Sequence, residues 1–483
     1  MSGLELLLTL GLPSLLGAAL CVGVGLGPQR VGGLAFAGLA YALGAGAWGL
    51  WLWGWMLLEL PLDRGLLAGS LLLLSAALGA LARGRGEQPD VPDAPRSGGR
   101  LEGLLFAAVL TLACVNQVDR ALVMNASPIA SGDEAGQFYA RARVIHEAGG
   151  VGAAYHEALD RRSFVNGKSS QTIVKHRDYP VLVPVLQVWS FVVADEVLWS
   201  DARVPIQAFS IALLLVAAGA SRRVARPGVA ALLVVGLAST RSFEVLSTDA
   251  RPDLAAALGF LIAVSGLVAW RNGLAVGLGL GLAMFAKNEG VLAMLALYGA
   301  LALVALLDRR AGWPHPRRAA VLAGSLPLWV FAATSAFNSI HGYTNDLAGA
   351  NREGTSFLQL ALERGSERIG PVADYLVFHV WLAPVEGRLL WVAALALVVA
   401  TPALKRRPEC RAPLVAVVLF LAGLTFVFLG THFKIEWHLE TAAARVAWQM
   451  LPALAVVVAA LATAAFSPAD SDDAHSQRAT KNS

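Results

Sequence analysis

An all-α polytopic membrane protein is the fold class this sequence predicts, on three observations. Of its 483 residues, 56% are hydrophobic and only 15% are charged, whereas a soluble domain carries about 25% charged residues. Apolar runs close to the ~20 residues a helix needs to cross a bilayer recur along the whole chain. Those runs are rich in glycine, with 48 in the chain, which suits closely packed helices and not a barrel. The sequence pI of about 9.1 does not signal a nucleic-acid partner, because the basic residues cluster in short loops between apolar runs. Three cysteines, Cys21, Cys114 and Cys410, lie in or beside apolar segments and suggest no disulfide framework.

The elements follow in order. Runs at 4–26, 33–57 and 65–82 form an N-terminal extension, closed by a basic loop reaching Arg100. No basic stretch precedes the first run, so it reads as a retained span and not a signal peptide. Loops rich in Lys and Arg mark the cytoplasm. Five qualify: 83–100, "SRRVAR" (221–226), "WRNG" (270–273), "DRRAGWPHPRR" (308–318) and "KRRPECR" (405–411). Between the first two lie three apolar segments, about 103–118, 180–197 and 203–220, yet two cytoplasmic ends need an even number of crossings. The segment "YPVLVPVLQVWSFVV" (179–193) is the one expected not to cross. Its Pro180, Pro184, Gln187 and Trp189 suit a helix at the headgroup level. The stretch 119–202 then becomes a large outer loop. Further spans are expected at 229–247, 253–270, 273–288, 290–307, 319–338, 388–404, 412–430 and 446–466, with a second outer loop at 339–387. The total is about 13 crossings with the N-terminus outside. The tail 467–483 is polar and expected to be a disordered cytoplasmic segment. No internal repeat is evident.

On this topology the unusual polar clusters fall on the outer side. Ionisable residues within spans cost about 2.5–3.5 kcal/mol each and so tend to mark sites. "SGDEAGQFYARARVIHEAGG" (131–150) starts with a capping-box spacing, Ser131 to Glu134, and continues as an amphipathic helix stopping at Gly149-Gly150. A bland reading makes Glu134 the cap and Asp133 a carboxylate favoured by the helix N-terminus. "KHRDYP" (175–180) could be an interfacial anchor through Lys175, His176 and Arg177. In "STDARPD" (247–253), Asp249, Arg251 and Asp253 could pair among themselves while Pro252 opens a helix. "KNEG" (287–290) could be a plain turn, but a turn that short rarely needs both Lys287 and Glu289 unless they face a polar cavity. In "THFKIEWHLETAAAR" (431–445), His432 and His438 have no third ligand at metal spacing. Arg445, just inside the last span, is the most expensive of these to leave unpaired. Arg241 and Glu244 lie inside the 229–247 run at the spacing of a helical ion pair.

Five fragments, in this order, resemble the GT-C membrane glycosyltransferases: "GDEAGQFYARA" (132–142), "HRDYPVLVPVLQ" (176–187), "RPDLAAA" (251–257), "FAKNEGVL" (285–292) and "HLETAAARVAWQMLP" (438–452). The relatives in question are the protein O-mannosyltransferases, the aminoarabinose transferase of lipid A and their bacterial homologues. The resemblance implies a GT-C-like domain over 101–466, with amphipathic juxtamembrane helices in the first outer loop, in a bacterial inner membrane with its site facing the periplasm. It implies a polyprenyl-monophosphate-linked sugar donor and a hydroxyl acceptor on a lipid, glycan or protein, met among membrane lipids. Asp133 would be the general base, and Glu134 would orient it or bind the acceptor. Lys175, His176, Arg177, Arg251, Lys287 and Arg445 would hold the phosphate, with Asp249, Asp253, Glu289 and His438 completing the substrate site. Tyr179 or Trp189 would stack on the sugar. The resemblance leaves a divalent metal near Asp133 open, since some relatives work without one. Two rival readings are a transporter or lipid flippase coupled through Asp133, Asp249 and Lys287, and a non-catalytic assembly protein.

Overall fold

The computed structural model describes residues 1–83, 99–127, 133–160, 162–165, 168–172, 174, 176–307, 317–343, 356–383, 396 and 402–466. The chain is an all-α polytopic membrane protein. Among the described residues eight helices are long and apolar enough to cross a membrane. These are α1 (Gly3–Gly23), α2 (Gly33–Leu57), α3 (Arg64–Ala82), α4 (Arg100–Asn125), α8 (Trp199–Val224), α13 (Glu289–Leu307), α17 (Pro408–Gly430) and α18 (Ile435–Phe466). Shorter apolar helices are α7 (Leu182–Ala194), α9 (Pro227–Ala238), α11 (Asp253–Val268) and α12 (Gly273–Ala286). The first loop adds α5 (Ala140–Glu147), α6 (Ala153–Asp160) and a two-stranded antiparallel hairpin, Arg162–Val165 with Lys168–Thr172. After α9 comes the short α10 (Arg241–Leu246). The set is completed by α14 (Arg317–Ile340), α15 (Phe357–Tyr375) and α16 (Pro402–Arg406). The expected span 388–404 and the tail 467–483 lie largely or wholly outside the described residues.

Large apolar side chains are exposed on the outer helices, with Leu112 70%, Leu73 74% and Leu306 79% accessible. That is the inverse of a soluble surface and fits a lipid-facing rim. The centre is made by the shorter helices: every residue of α11 is buried.

Two sequence expectations are corrected. The 179–193 segment, expected as a non-crossing amphipathic helix at the headgroup level, is packed inside the protein. Leu182 through Val193 are all buried, and Trp189 sits edge-on to Trp48 of α2 at 5.2 Å. Its prolines and amide marked a short core helix and not an amphipathic one: at 1.5 Å per residue its 13 residues rise only ~20 Å, short of the ~30 Å hydrocarbon core. The expected span 229–247 is broken. Thr240 caps α10, its hydroxyl accepting the Phe243 N–H at 3.3 Å and the Trp448 indole N–H at 2.9 Å. Glu244 consequently turns toward Arg120 of α4 at 3.4 Å instead of pairing with Arg241.

The bundle has two chemically different ends. At one, Arg30 donates to the carbonyl of Trp270 at 3.1 Å and to that of Arg271 at 3.0 Å, Arg223 reaches the Gln29 carbonyl, and Asn272 reaches that of Val24 at 3.0 Å. Thus the "SRRVAR" and "WRNG" loops share one face. Asp253, which begins α11, is separated from that face by the helix's 16 residues, or ~24 Å.

The α11–α12 hairpin brings its open end together because glycines let the helices touch. A Cβ on Gly259 would stand 2.5 Å from the Gly279 carbonyl oxygen, and one on Gly279 would stand 2.4 Å from that of Gly259. Small residues of this kind permit close backbone approach in membrane helices. Gly279→Leu should therefore wedge the hairpin open and cost about 1–3 kcal/mol. The check is a thermal melt in detergent; an unchanged midpoint would contradict this packing account.

Candidate functional site

The open end of that hairpin is where the charges gather. Asp253 occupies the first turn of α11 and is fully buried. Its Oδ1 accepts from Lys287 Nζ at 2.8 Å and from the Gln449 amide at 3.0 Å, and its Oδ2 lies 3.4 Å from Arg445 Nη1. Lys287 is the residue after α12, in extended backbone (φ −155°, ψ 150°) that stops the helix. After a single intervening residue Glu289 opens α13, and Lys287 Nζ meets its carboxylate at 2.8 Å. "KNEG" is therefore not a plain turn. Arg445 follows a π-helical turn, Leu439–Ala443, inside α18; such irregular turns recur at functional sites. The same Arg445 Nη1 lies 3.6 Å from Asp133 Oδ2.

Five charged side chains from four distant segments are thus chained together. Their exposure is graded: Asp253 0% and Lys287 4% at the floor, then Arg445 21% and Glu289 29%, with Asp133 54% at the mouth. Three carboxylates face two cations. Buried charges of this kind persist only when paired.

Asp133 is placed by its neighbour. Glu134 is 1% exposed and grips the equally buried Arg203 of α8 by two hydrogen bonds, 2.6 and 3.0 Å long, while its Oε1 accepts the Ala250 N–H at 3.2 Å. Arg203 also donates to the carbonyls of Met124 and of Ser127, the latter at 3.0 Å. Bidentate Arg–carboxylate pairs fix geometry as well as charge. Of the two roles expected for Glu134, orienting Asp133 or binding an acceptor, its contacts suit the first: the carboxylate anchors the helix that presents Asp133. The proposed capping partner Ser131 lies outside the described residues. A π turn over Glu134–Tyr139 leads into α5, which ends where expected, with Gly149 and Gly150 at φ 72° and 158°. The helix is amphipathic: Gln137, Phe138, Arg141, Val144 and Ile145 face inward, while Arg143 and Glu147 stay exposed.

The loop 176–180 lies against this helix and is tied down along its length. The Gln137 side chain pairs with both backbone groups of His176, accepting its N–H at 3.0 Å and donating to its carbonyl. Arg177 donates to the Leu159 carbonyl at 2.6 Å. Asn288 donates to the Asp178 carboxylate at 3.0 Å, and Asn338 to the Asp178 carbonyl at 3.0 Å. Arg141 donates to the Tyr179 carbonyl at 2.7 Å and to the Tyr155 hydroxyl at 2.9 Å. The rings of His176 and Tyr179 stack at 4.8 Å, and Tyr179 lies within the fields of Glu289, Arg445 and Asp133. Burial pushes the Tyr179 phenol up from its ordinary value, so it stays a hydrogen-bond donor.

The structure therefore brings Asp133, Tyr179, Asp253, Lys287, Glu289 and Arg445 together, with His176 stacked behind. His438 borders the cluster, its Nδ1 2.9 Å from the Thr431 hydroxyl and its ring within the fields of Glu289 and Arg445. Asp249 and Arg251 pair with each other, as one part of the bland reading had it, whereas Asp253 pairs with Lys287 and Arg445. Burial raises the Asp249 carboxyl although Arg251 draws it down. Arg177 points toward the Tyr343 ring, 5.8 Å from its centroid. Trp189 is in the core and cannot stack on a ligand at this site. Lys175 lies outside the described residues. Sequence reasoning missed Gln137, Arg141, Asp178, Arg203, Asn288 and Gln449. Arg203 and Gln449 carried a usable signal, a polar group inside an apolar run. Gln137 and Arg141 did not, since an amphipathic wheel cannot say which polar side chain turns inward.

The donor set does not fit a metal. Among the described residues no three His, Cys, Asp or Glu side chains gather in a way that could hold an ion, and both Asp253 and Asp133 already face Arg445. No family model, no curated protein and no solved structure matches this chain.

Proposed function

We propose that the chain is a glycosyltransferase of the GT-C kind, moving a sugar from a polyprenyl-monophosphate carrier to a hydroxyl on a lipid, glycan or protein. One observation carries the reading: the ion-paired cluster of Asp133, Asp253, Lys287, Glu289 and Arg445, sealed at its floor and open at Asp133. A polyprenyl donor is embedded in the bilayer, so its enzyme needs a polar site at a membrane boundary. A phosphate leaving group needs fixed positive charge as its own charge develops. A hydroxyl acceptor needs a carboxylate that can take its proton.

In this reading Asp133 removes the acceptor proton as the acceptor oxygen bonds to the anomeric carbon. The bond from that carbon to the phosphate oxygen breaks on the opposite face, and the configuration inverts. The electron pair leaves with the polyprenyl phosphate, toward Arg445, with Lys287 behind it at the floor. Asp253 and Gln449 hold those cations in place, Glu134 holds the Asp133 helix through Arg203, and the Tyr179 ring borders the sugar. Asp133, Asp253, Lys287 and Glu289 lie at helix ends, and Asp249 is spent on Arg251, which favours this reading over a coupled transporter.

The reading sets the cluster on the periplasmic side of a bacterial inner membrane, with about 13 crossings and the N-terminus outside. A cysteine replacing exposed Ala154 should react with an impermeant maleimide from outside, and one replacing exposed Arg226 only from the cytoplasm. Cytoplasmic labelling at 154 would overturn the assignment. The functional test is release of polyprenyl monophosphate from sugar-linked carriers by the purified chain in bilayers. Release that requires an acceptor and yields the inverted anomer is expected; no turnover across a panel of carriers would refute the reading.

A further inference from the structure

The cations of the cluster are not equally committed. Lys287 is 4% exposed and meets both Asp253 and Glu289 at 2.8 Å. Those are strong charge-assisted bonds, and they leave little for a ligand. Arg445 is 21% exposed, its contacts to Asp253 and Asp133 are 3.4 and 3.6 Å, and its buried Nε has no hydrogen-bond partner among the described residues. It therefore keeps unspent donor capacity. Of its two carboxylates, Asp253 is locked at the floor by Lys287 and Gln449, whereas Asp133 stands 54% exposed at the mouth. A new anion can displace only Asp133.

We infer that Arg445 is a shared cation: it pairs with Asp133 here and passes to a phosphate-type anion on arrival, so that the ligand itself releases the carboxylate. The inference rests on the sugar-transfer reading only for the identity of the anion. It ties the freeing of the base to occupancy of the leaving-group site, so a proton acceptor is exposed only when there is a phosphate to expel. The exchange also accounts for a cluster with more carboxylates than cations at a site for an anion. Asp133 moves out as the anion moves in.

The test is binding, not turnover. The full chain in nanodiscs is titrated with undecaprenyl monophosphate and, separately, with inorganic phosphate. If Asp133 competes for Arg445, Asp133→Asn binds the probe tighter than the parent. The expected gain is about two- to fivefold, the ordinary worth of a part-exposed ion pair. In an Arg445→Gln background binding falls at least about tenfold and Asp133→Asn adds nothing. If Arg445→Gln does not accumulate, Glu289→Gln is the reference. Exchange tightens binding at Asp133→Asn alone, whereas a general field effect tightens both variants alike and overturns the inference. Equal or weaker binding by Asp133→Asn overturns it too, as does a failure of both probes to bind. Tightening with the lipid probe or with the free ion supports it and identifies the source of the anion. Because no sugar is present, tightening without sugar release in the turnover assay leaves the exchange standing and refutes the transferase.

Discussion

Asp133→Asn should accumulate and melt like the parent protein while losing sugar transfer by about two to four orders of magnitude, the usual worth of a general base. The two halves of that expectation have separate grounds. Asp133 makes no side-chain cap to its own helix and is 54% exposed, so an isosteric amide has little to disturb. The anchors of the segment, Glu134 on Arg203 and Gln137 on His176, are untouched. An amide cannot take the acceptor proton. The measurement is initial-rate release of polyprenyl monophosphate, paired with a thermal melt. Transfer within a few-fold of the parent, at an equal melting midpoint, would remove Asp133 from the chemistry.

Glu134→Ala should be worse for the fold than Asp133→Asn. It strands the Arg203 guanidinium, 1% exposed, among helices. Removing one partner of a buried ion pair typically costs about 3–5 kcal/mol, because the other charge is left without compensation. It also frees the Ala250 N–H, one turn before α11 and three residues from Asp253. The variant should show a strongly lowered melting midpoint or fail to accumulate, and Glu134→Gln should recover part of the loss by keeping hydrogen bonds to Arg203. A stable, normally melting Glu134→Ala would mean that the pair does not hold the Asp133 helix in place.

The helices were legible because apolar length is a one-dimensional signal: the runs at 33–57, 203–220, 253–270 and 273–288 correspond to α2, α8, α11 and α12. What failed depended on neighbours. Leu182–Ala194 was read as an amphipathic helix at the headgroup level because proline, Gln187 and Trp189 also occur there, and only packing against α2 and α8 shows it buried. The 229–247 run hid a cap at Thr240, whose hydroxyl accepts from Phe243 N–H and also from Trp448, 208 residues away. The cluster itself was half legible. Spacing flagged Asp133, Asp253, Lys287, Glu289 and Arg445 one by one, as charges too costly to sit idle near a bilayer. It could not say that Asp253 binds Lys287 while Asp249 binds Arg251, two similar local patterns with opposite outcomes. Nor could it separate Asp133 from Glu134. Adjacent residues on a helix point about 100° apart, and here one faces the mouth while the other faces Arg203.

The most direct test of the sugar-transfer site is the envelope composition of cells lacking this chain, complemented either by the parent or by Asp133→Asn. Lipids, glycans and modified proteins are compared by mass spectrometry, with expression matched by immunoblot. One glycosylated product is expected to vanish on deletion, to return with the parent and to stay absent with Asp133→Asn. Return of that product with Asp133→Asn, or a composition unchanged by deletion, would contradict the sugar-transfer reading.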